Sequence, residues 1–222
     1  DTFNAIFEEI EQAKNYILVQ YYIIRSDKLG KKLKELLIKK SEQGVKVYFL
    51  IDDFGSFDLG RSYLDQLKKG GVSVAIFLPV GGIKTWFQLN FRNHRKTVIV
   101  DGESAFTGGI NIGEEYRVKG TEDNWRDTHF RLSGSIVANL EDVFYDDWAF
   151  ATNCSTKMKP LTSFNNCQTN ISSKLEDGQY DVQLIPTGPT DTDQIALYFF
   201  MSIIQSAQNS LWIATPYFIP HE

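Results

Sequence analysis

Histidine and cysteine are scarce in this chain, and it lacks a positive net charge and any long apolar run. Three His and two Cys occur in 222 residues. Cys154 and Cys167 lie in a polar segment without metal-ligand spacing. They suit a reducing compartment, with a single bridge between them as the alternative. The formal net charge is −5, so the surface as a whole does not favour nucleic acid. No apolar run reaches the roughly 20 residues of a membrane-spanning helix. The longest, Ile195 to Ile204, reads as a core helix. The opening Asp1-Thr2-Phe3 reads as the approach to a helix cap, and a secretory leader is not expected there. What is present is 42% hydrophobic and 14% aromatic, enough for a folded domain with a sizeable core.

Hydrophobic periodicity alternates along the chain. It predicts helices over residues 3–14, 28–42, 61–69 and 135–151, and strands over 16–22, 45–51, 72–77 and 127–132. Such alternation implies a layered α/β domain. Residues 152–180 are polar and rich in Ser and Asn, and read as an interdomain linker or lid.

One histidine sits in a dense constellation. Asn93-His94-Arg95-Lys96-Thr97-Val98-Ile99-Val100-Asp101, followed by Gly108-Gly109-Ile110-Asn111, reads H-x-K-x4-D-x6-G-G-x-N. Chance assembly of that pattern is about one in 10⁵ or less. Thr97 to Val100 is a β-branched strand, so alternation puts His94 and Lys96 on one face. Asp101-Gly102 reads as a hairpin turn, and Ser104 to Thr107 as the return strand. Gly108 and Gly109 let backbone approach a bound anion, and Asn111 can donate its amide. Arg92, Arg95 and Lys96 form a local basic patch that fits a phosphate pocket or an anionic headgroup. A neutral imidazole can attack phosphorus. It then needs a carboxylate to fix its tautomer and a second acid to protonate the leaving oxygen. One motif supplies one His, so the chemistry calls for two motifs.

The motif resembles that of the phospholipase D superfamily. Leu89-Asn90-Phe91-Arg92-Asn93-His94-Arg95-Lys96, Asn124-Trp125-Arg126-Asp127-Thr128-His129 and Ala214-Thr215-Pro216-Tyr217-Phe218-Ile219-Pro220 are similar to its bacterial cardiolipin synthase branch. The resemblance implies a phospholipase D-like α/β layered domain, a mixed β-sheet flanked by helices, forming one half of a pseudo-twofold duplicated enzyme. It implies no cofactor and no metal. The implied activity joins two phosphatidylglycerol molecules with release of glycerol through a phosphohistidine. Hydrolytic phospholipase D, another phosphodiesterase and a non-catalytic anionic-lipid-binding homologue are the alternatives. His94, Lys96 and Asn111 are the expected catalytic groups. Asp127 is the expected supporting carboxylate, for this half's imidazole or the other half's. Asp101 either orients an imidazole or holds the turn. Gly108, Gly109, Arg92 and His129 are expected at the substrate, His129 as a structural or headgroup-contacting residue. The implied partners are anionic phospholipid, a bacterial membrane surface, and a second motif-bearing half in the same chain or a homodimer partner, with no nucleic acid.

Other residues have plainer readings. Asp52-Asp53-Phe54-Gly55 follows a buried strand and reads as a loop, with a Mg²⁺ site the alternative. Glu114-Glu115 reads as a solvated acidic pair. Trp86, Phe87, Leu89 and Phe91 read as core or as an acyl groove.

Ala13-Lys14-Asn15-Tyr16-Ile17-Leu18-Val19 matches Ala207-Gln208-Asn209-Ser210-Leu211-Trp212-Ile213 in pattern, at an offset near 194 residues. A period that long indicates a duplicated domain. The expected organisation is a first catalytic half over 1–151, a linker over 152–180, and the start of a second half over 181–222. His129 is followed two residues later by Arg131, and His221 stands at the end, so neither makes a second His-x-Lys.

Overall fold

A computed structural model describes residues 2–79, 92–117, 125–154, 180–188 and 195–214. Two units separate, Asp1–Leu184 and Ile185–Glu222.

The first unit is built on one mixed six-stranded sheet. Its strands are β1 (Tyr16–Tyr21), β2 (Lys46–Asp52), β3 (Ser73–Phe77), β4 (Thr97–Val100), β5 (Ser104–Gly108) and β6 (His129–Ser133). They lie in the order β3-β2-β1-β4-β5-β6. β1, β2 and β3 pair in parallel, whereas β4 pairs antiparallel with β1 and starts an antiparallel meander through β5 to β6. Helix α1 (Thr2–Gln12) leads into β1, and α2 (Lys28–Glu42) and α3 (Arg61–Lys69) make the two parallel crossovers. α4 (Ile136–Thr152) follows the meander.

Alternation along the strands sorts the core into two layers. Ile17, Val19, Phe49, Ile51, Val98 and Val100 pack with Ile6, Ile10, Leu33, Leu37 and Leu67 of α1, α2 and α3. Leu18, Leu50, Ala75 and Ile99 pack with Leu140, Phe144 and Trp148 of α4. With helices on both faces, all six residues of β1 are buried. The helix bounds follow local signals. Asp27 caps α2 by accepting from the Gly30 N–H at 2.9 Å. Gly71, at φ +83°, turns the chain out of α3 into β3.

Several expectations need adjustment. The segment 92–96 is not strand, so His94 and Lys96 do not share a face through β alternation. β6 begins at His129, two residues later than expected, which leaves Asp127 on the approach to the strand. Glu114 and Glu115 are half-buried and paired with Arg117 and Arg25 rather than simply solvated. Trp86, Phe87, Leu89, Phe91, Cys167 and most of the proposed linker lie outside the described residues.

In the second unit, α5 (Ile195–Ser206) forms as a helix, but none of its residues is buried. The expectation of a core helix is corrected on that point. No sheet accompanies α5 among the described residues of that unit, so its apolar side chains have no layer to pack into. Among the described residues, no helix is long and apolar enough to cross a membrane.

Candidate active site

The C-terminal ends of β1 and β5 and the N-terminal ends of β4 and β6 meet along one edge of the sheet. The strand pairings require this, since Gln20 faces Thr97 and Gly108 faces His129. The motif therefore converges with residues just beyond β1 and just before β6.

His94 is exposed, whereas its neighbours Arg92, Asn93 and Lys96 are buried. Its imidazole stacks on Tyr22 with ring centroids 3.8 Å apart and planes inclined by 20°. Partial cover of the ring and the nearby Lys96 charge hold the imidazole below its ordinary pKa, with Asp52 pulling the other way. It is therefore biased toward the neutral, nucleophilic form.

Lys96 is 9% exposed, and its Nζ donates to the His94 carbonyl. The same ammonium lies 5.4 Å from the Tyr22 ring centroid. Burial pulls Lys96 down to about 8, against the opposing pull of Asp127. Among the described residues, no carboxylate lies within ion-pair distance of Lys96. It is a desolvated cation of the kind that an incoming anion would neutralise.

Asp127 and His129 complete this edge. Thr128 O accepts from the Gly109 N–H at 2.9 Å, bringing the β6 approach down onto the glycines. A Cβ on Gly109 would stand 2.1 Å from Asp127 Oδ1, and one on Gly108 would stand 2.4 Å from Thr128 O. The two glycines thus make room for Asp127 and His129, where the sequence had suggested room for an anion. Both ring nitrogens of His129 are buried without a hydrogen-bond partner among the described residues. Burial pushes that imidazole down to about 4, Lys96 adding to the effect and Asp127 opposing it. His129 is a neutral, covered ring beside the lysine.

Asn111 is buried and tied at both ends of its amide. Its Oδ1 accepts from the Ile23 N–H at 3.1 Å, and its Nδ2 donates to the Tyr116 hydroxyl at 2.8 Å. The first bond points the amino group away from β1.

Two expected members stand elsewhere. Asp101 lies at the far end of β4, about 17 Å along the strand from Lys96. There its carboxylate accepts from the N–H groups of Lys14, Asn15 and Tyr16 at 2.7, 2.7 and 2.8 Å. It anchors the start of β1, at the end of β4 away from Lys96. Arg92 turns inward rather than toward a substrate. It is 6% exposed, donates to Leu78 O at 3.0 Å, and lies 3.9 Å from Asp52 and 5.3 Å from the Phe54 ring. The basic patch is mostly neutralised, because Arg95 pairs with Asp147 at 2.5 Å.

Tyr22 and Asp147 escaped the sequence reading as site residues, and Asp52, weighed there only as loop or Mg²⁺ ligand, holds the motif instead. Tyr22 supplies the platform under His94. Its carbonyl accepts from Ser56 Oγ at 3.0 Å, in the loop after β2. Asp52 and Asp147 hold the motif from below. The available signals were polar residues where apolar ones belong: a carboxylate ending a buried strand, and another on an apolar helix face.

Comparison with known proteins bears on this geometry. The family model described as "Cardiolipin synthase, PLD-like domain" matches residues 6–148, which include the whole sheet. The chain belongs to this cardiolipin synthase PLD-like domain family. Cardiolipin synthase A of Pseudomonas syringae pv. syringae is 42% identical over 100% of this chain and 44% of its own length. A cardiolipin synthase of Geobacillus sp. is 41% identical over 100% of this chain and 43% of its own. The chain thus spans less than half the length of these curated relatives. Among solved structures, NucT from Helicobacter pylori aligns with a TM-score of 0.51 at 14% identity, covering 67% of this chain and 87% of that one. Phosphatidylserine synthase of Haemophilus influenzae Rd KW20 also gives 0.51, at 16% identity, over 71% and 38%. These structural likenesses show the PLD-like fold alone.

Proposed function

We propose that this chain carries one half of the catalytic apparatus of a phosphatidyltransferase of the cardiolipin synthase type. The observation that carries the reading is an exposed imidazole, biased toward its neutral form, beside a buried ammonium that no carboxylate among the described residues pairs. The relatives' names supply the substrate class.

In the first step an imidazole nitrogen of His94 attacks the phosphorus of phosphatidylglycerol. An N–P bond forms, and the bond from phosphorus to the glycerol headgroup breaks. A histidine from a second motif-bearing half, in the same protein or a partner copy, protonates the leaving glycerol oxygen. In the second step that histidine takes the proton from a hydroxyl of another phosphatidylglycerol. The hydroxyl oxygen attacks phosphorus, the N–P bond breaks, and cardiolipin leaves with His94 restored. Lys96 stabilises the phosphoryl oxygens as charge builds on them. Asn111 supports this with the amino hydrogen that Tyr116 does not take, and Asp127 offers its exposed carboxylate to an imidazole. The reaction takes place at a bacterial membrane surface.

The test uses the protein beside His94→Ala with radiolabelled phosphatidylglycerol in mixed micelles containing EDTA. Cardiolipin and glycerol in the wild type, both lost in the variant, are the expected products. Phosphatidic acid as the main product would make the enzyme a hydrolase. No turnover from a protein that contains both motif-bearing halves would overturn the lipid reading.

A further inference from the structure

His94 is set apart by what happens to the residues around it. Asn93 is tied three times. Its N–H donates to Asp52 Oδ2 at 3.1 Å, its Nδ2 to Asp147 Oδ2 at 2.9 Å, and its Oδ1 accepts from the Arg95 N–H at 3.0 Å. Arg95 in turn donates its guanidinium to both Asp147 oxygens, at 2.5 and 2.6 Å. The backbone is therefore fixed immediately before and immediately after His94. With Asn93 and Arg95 drawn inward, the intervening side chain projects outward, onto Tyr22.

The two carboxylates come from far along the chain. Asp52 ends β2, where its Oδ1 also accepts from the Phe54 and Gly55 N–H groups at 3.0 Å each. Asp147 lies on the face of α4 that carries Phe144 and Trp148 into the apolar core. It is 8% exposed and also accepts from Gln20 Nε2 of β1 at 2.6 Å. Stability alone gives little reason for such a group. Replacing a buried, paired charge by a well-packed apolar residue is often neutral or favourable. A buried polar network does, however, select one geometry among several of similar packing energy.

We propose that Asp52 and Asp147 are positioning residues that clamp Asn93 and Arg95 and so set the imidazole of His94 on Tyr22. The catalytic consequence rests on the phosphatidyl-transfer reading; the geometry does not. A displacement of about 1 Å in a nucleophile is enough to lower turnover by roughly 10- to 100-fold.

The experiment labels histidine with ¹³C in the protein and follows the Cε1–H signal of His94, assigned by its loss in His94→Ala. The Tyr22 ring shifts this signal upfield, and Tyr22→Leu supplies the unstacked position. In Asp52→Asn and Asp147→Asn the signal moves toward that position, while kcat on phosphatidylglycerol falls roughly 10- to 100-fold and KM stays within about threefold. Asn93→Ala removes the side-chain ties to Asp147 and to the Arg95 N–H and keeps the Asn93 N–H on Asp52, so it moves the signal in the same direction even where a carboxylate variant fails to fold. An unmoved His94 signal in folded Asn93→Ala overturns the Asn93–Asp147 arm of the clamp, and an unmoved signal in both folded carboxylate variants overturns the clamp as a whole. A moved signal in a protein that contains both motif-bearing halves and shows no turnover keeps the clamp and removes the phosphatidyl-transfer reading instead.

Discussion

Lys96 holds its charge in a covered position, and pH exposes the consequence. Burial pulls its ammonium down to about 8, so the free site loses its cation as pH rises through that value. An anion in the pocket favours the charged form. Affinity for inorganic phosphate, measured by calorimetry, should therefore fall with rising pH above about 8 and approach a plateau below it. Lys96→Arg keeps its charge throughout and should abolish that step. His129 makes the opposite kind of statement, about stability. Burial pushes it down to about 4, well under the ordinary histidine value of about 6.5. Between those values the unfolded chain binds a proton that the folded one refuses, so stability falls as pH drops from about 6.5 toward 4. Above 6.5 both states are neutral and the effect vanishes. Urea midpoints at pH 7, 5.5 and 4.5 should show this acid limb, and His129→Gln should flatten it.

The elements of the meander give each glycine a different task. At Gly109 an added methyl would meet a side chain, the Asp127 carboxylate, at 2.1 Å. That carboxylate is exposed and can swing away. Gly109→Ala should therefore fold and lose activity to the same extent as Asp127→Ala, which a rate assay on the two variants checks. At Gly108 the methyl would meet backbone, Thr128 O at 2.4 Å, and φ is +154°. Neither the strand nor the dihedral yields cheaply, so Gly108→Ala should lower stability by about 1–3 kcal/mol. Asp101, at the other end of β4, should affect stability alone. Asp101→Ala removes the acceptor of three N–H groups, at about 1–3 kcal/mol by denaturant titration, with kcat unchanged. These contrasts show what a sequence can and cannot announce. α2 and α3 begin and end where periodicity and their flanking Asp and Gly place them, because those signals are local. His94, Lys96, Asn111, Asp127 and His129 were legible as a group, because strand ends bring them to one edge. The clamp was not. Asp52 and Asp147 reach Asn93 across 41 and 54 residues, and only the folded sheet sets those distances.

At the scale of the whole chain, the repeat extends beyond the segments that first showed it. α1 buries Phe3, Ile6, Phe7 and Ile10 against the sheet. Adding 194 gives Leu197, Phe200, Met201 and Ile204 of α5, which are apolar at every position. These four are 52, 53, 45 and 47% exposed. The matching stripe is thus a core face in α1 and an exposed face in α5, and we propose that residues 181–222 start a second PLD-like half. A helix in that state is adhesive, since its apolar face gains by any cover. The 222-residue polypeptide should therefore self-associate in sedimentation experiments, and Phe200→Asp should shift it toward monomer. In a protein whose chain continues through a second sheet, Phe200→Asp should instead be as destabilising as Ile6→Asp is in the first half, because each would bury an unpaired carboxylate. Equal tolerance of Phe200→Asp in both proteins would remove the duplication and leave α5 as a surface helix.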